Sequence, residues 1–121
     1  MGIRDSFINY NNQLIEIKVE ELGTSIYIKK WSGLDRAKMI PLVSGIDELE
    51  ENQKYEKMYS GMAKIIQESA LDEDGEKAFE DTEEDFKLLE NFPGDIIQEL
   101  FEEIMAHNGM EKDNIKEAAK N

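Results

Sequence analysis

The chain has 121 residues, of which 40% are hydrophobic and 35% charged, and its formal net charge is −14. This length suits one domain with a single modest core, and the acidic balance excludes binding to nucleic acid or anionic lipid, because both depend on lysine and arginine. The lack of cysteine excludes disulfides and thiolate chemistry, which makes the reducing cytoplasm the natural setting, and a zinc site would have only His107 to add to carboxylates.

Residues 1–13 are expected to form a flexible N-terminal arm that precedes a β-hairpin. The segments "QLIEIKVEEL" and "TSIYIKKW" both alternate apolar and polar residues, as strands do when one face is buried. The short connection between them contains Gly23, which suits a tight turn. Because two strands alone are marginal in water, the hairpin needs helices to pack against.

Two helices are predicted after the hairpin. Ser32 can cap the first, with Asp35 as its capping-box partner, and Pro41 kinks or ends it. The second and longest lies in "IDELEENQKYEKMYSGMAKIIQESAL". One face of it has apolar spacing of three and four residues, at Tyr55, Met58, Met62, Ile65, Ile66 and Ser69. Gly61 weakens a helix by about 1 kcal/mol relative to alanine, which indicates a close contact at this position.

The stretch "ALDEDGEKAFEDTEED" contains nine acidic residues and has two interpretations. As a calcium-binding loop of the EF-hand type, it would place its ligands at Asp72, Asp74, Glu76 and Glu83. Lys77 then stands where the sharp turn of such a loop requires glycine, so a metal site is not predicted.

The favoured interpretation is a connector between two helices. The letters "DEDG" indicate a turn at Gly75, and Phe79 returns the chain to the core. Asp81 or Thr82 then caps a short helix in "TEEDFKLLENF", which is expected to bury Phe86 and Leu89, with Leu88 as a further candidate.

The last helix, in "PGDIIQELFEEIMAHNGM", has apolar residues over close to half of its circumference. Pro93 suits its first turn, His107 suits its negative end, and Gly109 ends it with Met110 folding back. The centre of the apolar surface is expected to be core, and its edges lie at Ile96 and Met105. The candidate partner-binding residues are Ile96, Phe101, Met105 and Met110. Residues 111–121 are expected to fray.

Together these elements predict an α+β, mainly helical fold in one domain spanning residues 1–121, with the N-terminal β-hairpin packed against about four helices. The sequence offers no nucleophile–base pair and no glycine-rich phosphate loop, so no catalytic residue and no cofactor are assigned and an enzyme is not expected. No apolar run approaches the roughly 20 residues that span a bilayer, so no membrane segment is expected. Binding through an apolar surface remains as the predicted activity.

The order of these motifs resembles that of the tail assembly chaperones of long-tailed bacteriophages and related prophages. The similarity runs from Leu14 to Asn121. It rests on the strand pair "IEIKVEELGTSIYIKKWSGLDRA", the middle helix, "DEDGEKAF" before an acid-capped helix, "FPGDIIQELFEEIMAHNGM" and the ending "EAAKN".

The resemblance implies a non-enzymatic function in tail assembly. Such chaperones bind the tape measure protein in the cytoplasm of the bacterial host and keep it soluble. They also help to recruit the major tail protein, and they are absent from the mature virion. Self-association is left open by the sequence.

Two other classes of function remain open. One is an acidic DNA mimic that inhibits a nucleic-acid-binding protein, a function to which the net charge of −14 is suited. The other is a calcium-responsive binding module that uses the acidic stretch.

Overall fold

The computed structural model describes residues 2–110. Over this range the elements are α1 (Ile3–Asn11), β1 (Ile15–Val19), β2 (Thr24–Ile28), α2 (Gly33–Met39), α3 (Glu51–Ser69), α4 (Glu83–Glu90) and α5 (Gly94–His107). The predicted class, mainly helical α+β with an N-terminal β-hairpin, is confirmed. The fraying expected for residues 111–121 falls outside the described residues.

The N-terminal segment is helical, which corrects the expectation of an arm without regular structure. No proline or glycine interrupts Ile3–Asn11, and its apolar residues Ile3, Phe7 and Tyr10 recur at helical spacing. None of the residues of α1 is buried, however, and Gly2 at its start supplies no side-chain cap. Residues 12–14 connect this helix directly to β1.

The hairpin pairs β1 with β2 in antiparallel register, with Ile17 opposite Ile26. A short 3-10 turn at Glu20–Leu22 and Gly23, whose φ is 64°, reverse the chain as the sequence predicts. One face of the hairpin turns its alternate side chains into the core, including Ile17, Val19 and Ile28.

Helix α2 begins and ends where the sequence predicts. The Ser32 hydroxyl accepts a hydrogen bond from the Asp35 amide at 3.0 Å, and the Asp35 carboxylate accepts one from the Ser32 amide at 3.1 Å. This reciprocal pair is the capping box. Pro41 lies in the 3-10 turn Ile40–Leu42 that ends the helix.

Helix α3 begins later than its predicted segment. Gly45 has a φ of 71° and opens a separate 3-10 turn at Ile46–Glu48, and Leu49 is extended, so regular helix starts only at Glu51. Burial along α3 is confined to its C-terminal half, from Gly61 to Ser69. The predicted buried face is therefore wrong at Tyr55, which is exposed, and only partly buried at Met58.

The close contact predicted at Gly61 is present. A Cβ at this position would overlap the backbone carbonyl of Leu42 and lie 3.0 Å from Cγ1 of Val43. Glycine thus lets α3 approach the 3-10 turn Ile40–Leu42 at backbone distance.

Helices α4 and α5 complete the core. Thr82 caps α4 by accepting a hydrogen bond from the Asp85 amide at 3.2 Å, as the connector interpretation predicts. Leu89 of α4 is buried and Phe86 packs against the core as a partly buried side chain. Pro93 lies one position before α5 rather than within its first turn. Among residues 2–110, none of the helices combines the length and apolar character that crossing a bilayer takes.

Asn108, directly after α5, connects the residues that follow β2 to the last helix through hydrogen bonds. Its side-chain oxygen accepts a hydrogen bond from the Trp31 amide at 2.6 Å, and its side-chain nitrogen donates to the Ile104 carbonyl at 2.8 Å. Arg36 of α2 donates to the backbone carbonyl of Asn108. The Trp31 indole also donates to Ser69 at the end of α3, at 3.1 Å. The residues that follow β2, helix α2 and the end of α5 therefore all meet at Asn108.

Replacing Gly61 with alanine is expected to destabilise the fold by about 2 kcal/mol, because the added methyl overpacks the contact with Leu42. Alanine ordinarily stabilises a helix interior relative to glycine by about 1 kcal/mol, so the sign of the change is diagnostic. Urea unfolding monitored by circular dichroism measures it. The matched control is Gly33→Ala in α2, where a Cβ meets nothing within 4 Å and no loss is expected. A stabilised Gly61→Ala variant would contradict the close contact.

Candidate protein-binding surfaces

Three of the four predicted partner-binding residues belong to the core. Phe101, Met105 and Met110 are 3%, 1% and 7% exposed. The wide apolar surface of α5 is largely buried within the protein, because the helix packs against both α3 and β1. These three assignments are corrected, since none of these side chains is accessible to a partner in this conformation.

Met110 is buried because the chain reverses at the end of α5. Gly109 has a φ of 74°, and its amide donates to the Ala106 carbonyl at 3.0 Å. The Met110 amide then donates to the Met105 carbonyl at 2.9 Å. This pair of bonds is the Schellman motif, and it turns Met110 back onto the core as the sequence predicts.

Ile96, the fourth predicted residue, is only partly buried and lies in a groove between α5 and β1. The groove encloses roughly 240 Å³, and its apolar lining comes from Ile17, Val19, Ile96 and Leu100. The residues around it are mainly acidic and include Glu16, Glu21, Glu99 and Glu103. Ile96 therefore remains a candidate for contact with a partner.

Within residues 2–110, four of the eight exposed large apolar residues lie on α1, where the sequence analysis expects a flexible arm. Ile3 is 81% exposed, Phe7 73% and Tyr10 56%, and the three side chains share one face of the helix. Ile8 beside them is also exposed. The Lys30 ammonium lies 5.7 Å from the centroid of the Tyr10 ring, a cation–π contact between α1 and the residues that follow β2. The helical spacing of the apolar residues 3, 7 and 10 is the feature of the sequence that could have predicted this helix and its apolar face.

The other exposed large apolar residues are single. Leu22, Leu34, Tyr55 and Leu88 lie on separate elements. Isolated apolar side chains of this kind are ordinary on protein surfaces and indicate no binding site.

The acidic connector folds as a turn. The Asp72 carboxylate accepts hydrogen bonds from the amides of Asp74 at 2.9 Å and Glu76 at 3.0 Å. Gly75 has a φ of 84°, as the turn interpretation predicts. Within residues 2–110, no three acidic or histidine side chains converge as a ligand set for a metal ion, so the described structure lends the calcium alternative no support.

The end of the connector is fastened to α3. The buried Gln67 side chain donates to the carbonyls of Glu80 at 2.8 Å and Thr82 at 3.0 Å. Beside it, the Lys64 ammonium lies 3.3 Å from Asp81 and 3.4 Å from Glu68. The hydrogen bond from Lys64 lowers the pKa of Asp81 below its ordinary 3.8. Burial acts to lower the pKa of Lys64, but its hydrogen bonds to Asp81 and Glu68 outweigh this effect and raise it.

Charge is unevenly divided along the chain. Residues 1–38 contain six lysine and arginine residues and five acidic ones, whereas residues 39–110 contain 20 acidic residues and five lysines. The excess negative charge thus belongs to the segment from the end of α2 through α5, and α1 itself carries one arginine and one aspartate.

Comparisons with known proteins gave no relative. No family model matches the chain. A search of curated proteins and a search of solved structures also returned no match.

The burial of Met105 predicts a large stability difference from Ile96. Met105→Ala is expected to cost about 2–4 kcal/mol through lost packing and a cavity. Ile96→Ala, on the same helix but partly exposed, is expected to cost about 1 kcal/mol. Urea denaturation of both variants measures the difference. Equal, small losses would place Met105 at the surface.

The ion pair at the connector predicts a pH effect. Lys64→Met is expected to raise the pKa of Asp81 toward its ordinary 3.8, which a carbon-13 NMR titration of the carboxyl group measures. Since the folded-state pKa is depressed, this contact stabilises the fold above pH 3.8 and its contribution is lost as the pH falls through the lower value. The control is Lys57→Met, which removes another lysine of α3 that lines the same surface pocket as Lys64 and Asp81, and none of the ion pairs described joins Lys57 to Asp81. An unchanged Asp81 pKa in Lys64→Met would contradict the assignment.

Proposed function

We propose that the protein is a non-enzymatic chaperone of phage tail assembly that binds and solubilises the tape measure protein. The observation that carries this proposal is α1, a helix with no buried residue whose apolar side chains face solvent. The resemblance of the motif order to tail assembly chaperones supplies the identity of the partner.

Helix α1 has the properties of a segment that is stabilised by packing against a partner protein. It has nine residues, and isolated helices shorter than about 12–15 residues are marginal in water. Its own fold supplies little packing, because every residue of the helix is exposed. An apolar stripe of Ile3, Phe7 and Tyr10 matches the spacing with which an amphipathic helix engages an apolar surface. A helical, aggregation-prone client offers such a surface.

The charge distribution suits the same function. The apolar face of α1 lies in a segment of nearly balanced charge, whereas residues 39–110 hold the acidic excess. Contact through α1 leaves that acidic surface in solvent, where mutual repulsion between complexes opposes aggregation of a bound client.

The remaining parts of the proposal come from the resemblance. The protein acts in the cytoplasm of the bacterial host, helps to recruit the major tail protein to the tape measure complex, and is absent from the mature virion.

The test is co-expression with the tape measure protein encoded in the same gene cluster, followed by pull-down at low and high salt. The wild-type chain is expected to retain the tape measure protein at high salt, because apolar contacts are not screened. The double variant Ile3→Ser/Phe7→Ser is expected to lose about tenfold or more of that retention. Both side chains are exposed, so the thermal unfolding of the variant should match the wild type.

The matched control is Leu88→Ser, which removes an exposed apolar side chain from α4 and is expected to retain the partner. Retention that disappears at high salt and is competed by DNA would favour the acidic DNA mimic instead. If the wild-type chain fails to retain the tape measure protein at either salt concentration, the proposed function is wrong.

A further inference from the structure

We infer that the open edge of β1, together with the groove beside α5, binds an extended segment of a partner protein that combines apolar and basic residues. Binding would occur by strand addition, with the segment pairing its backbone to β1. This edge is separate from the apolar face of α1, and its ligand can be sought without the tape measure protein.

The first observation is that, within residues 2–110, the chain covers the β2 edge of the hairpin but not the β1 edge. On the β2 side, the Tyr27 amide donates to the Leu71 carbonyl at 2.9 Å and the Leu71 amide donates to the Tyr27 carbonyl at 2.7 Å. The backbone of Tyr27 thus points away from β1. Its partner across the hairpin, Glu16, must then point its own amide and carbonyl away from β2.

The alternation of an antiparallel ladder gives Lys18 the same orientation as Glu16. Among the hydrogen bonds described within residues 2–110, none involves the outward amides or carbonyls of Glu16 and Lys18. Two donors and two acceptors therefore stand in a row along the edge, at the spacing that an added strand matches.

The second observation is the groove that runs beside this edge. Its apolar lining from Ile17, Val19, Ile96 and Leu100 lies on the α5 side, where alternate side chains of an added strand would point. Ile96 is the partly exposed member of this lining, so it is available to the incoming side chain. The groove is small, which suits two or three side chains rather than a helix.

The third observation is the charge around the groove. Four glutamates are among the residues that line it, Glu16, Glu21, Glu99 and Glu103, and Lys18 is the one basic residue among them. A segment with lysine or arginine beside its apolar residues complements these glutamates. A second copy of this chain pairing through β1 would instead double the carboxylates at the seam and bring together two chains of net charge −14. The charge therefore selects a basic partner over self-association.

The experiment uses the full chain and the peptide acetyl-Lys-Lys-Val-Thr-Val-Lys-Lys-amide, carrying a fluorescent label for anisotropy. In parallel, hydrogen exchange followed by NMR reports the amides of the protein. Binding is expected to slow exchange at the Glu16 and Lys18 amides by about tenfold or more, because these are the donors that the added strand covers. Amides of α4 should exchange at unchanged rates.

An N-methylated peptide separates strand addition from attraction to an acidic surface. It is methylated at both valines, at the threonine and at the lysine next to each valine, so neither edge of the peptide strand can donate backbone hydrogen bonds while every side chain and charge is kept. Strand addition requires that this peptide bind much more weakly than the unmethylated one. Equal binding by both would overturn the inference.

Protein variants locate the groove. Glu99→Lys is expected to weaken binding by about tenfold, and the matched control Glu102→Lys, an exposed residue of α5 outside the groove lining, is expected to weaken it less. Lys18→Pro removes one outward amide at a strand edge that tolerates proline, and is expected to abolish protection at Glu16. Equal effects of Glu99→Lys and Glu102→Lys, or a dimer in light scattering that the peptide does not dissociate, would overturn the inference.

Discussion

The packing of α5 against α3 is the interaction on which the rest of the structure depends. Both helices turn their most apolar faces toward each other, and the buried residues Ile65 and Ile66 of one and Ile104 of the other are inaccessible to solvent. The contact also includes a polar pair, in which the Tyr59 hydroxyl donates a hydrogen bond to the Gln98 side-chain oxygen at 3.2 Å. Burial of apolar side chains between α3 and α5 supplies the main driving force for folding, because the hairpin alone is marginally stable in water.

Polar contacts then fix the other elements to this pair of helices. The hairpin exit and α2 meet α5 at Asn108, and the acidic connector meets α3 at Gln67. Both amide side chains are buried, and both have their hydrogen-bonding groups occupied. A buried amide side chain without hydrogen-bond partners raises the free energy of the folded state. Each of these two positions therefore favours one arrangement of its neighbours, where apolar contact alone would allow several.

The sequence predicts those parts of the fold that are determined by interactions between residues close together in the chain. The capping box at Ser32, the turn at Gly75 and the chain reversal at Gly109 depend on residues within one turn of each other, and the structure contains all three. Whether Phe101 faces a partner or the core depends on which other helix covers it, which periodicity along one helix cannot specify. The helix at α1 was missed for a related reason, since a segment of nine residues without a side-chain cap gives a weak local signal.

The short connection between α1 and β1 would limit where the segment of a proposed client bound to α1 could lie. Residues 12–14 span at most about 10 Å, and a helix of nine residues is about 13 Å long, so a segment held by α1 would stay within roughly 25 Å of the hairpin. Confinement to that radius would correspond to a local concentration on the order of tens of millimolar for a second contact on the same client. Two individually weak contacts on one flexible client would therefore act as a single tight one, while each would release readily once the other is displaced.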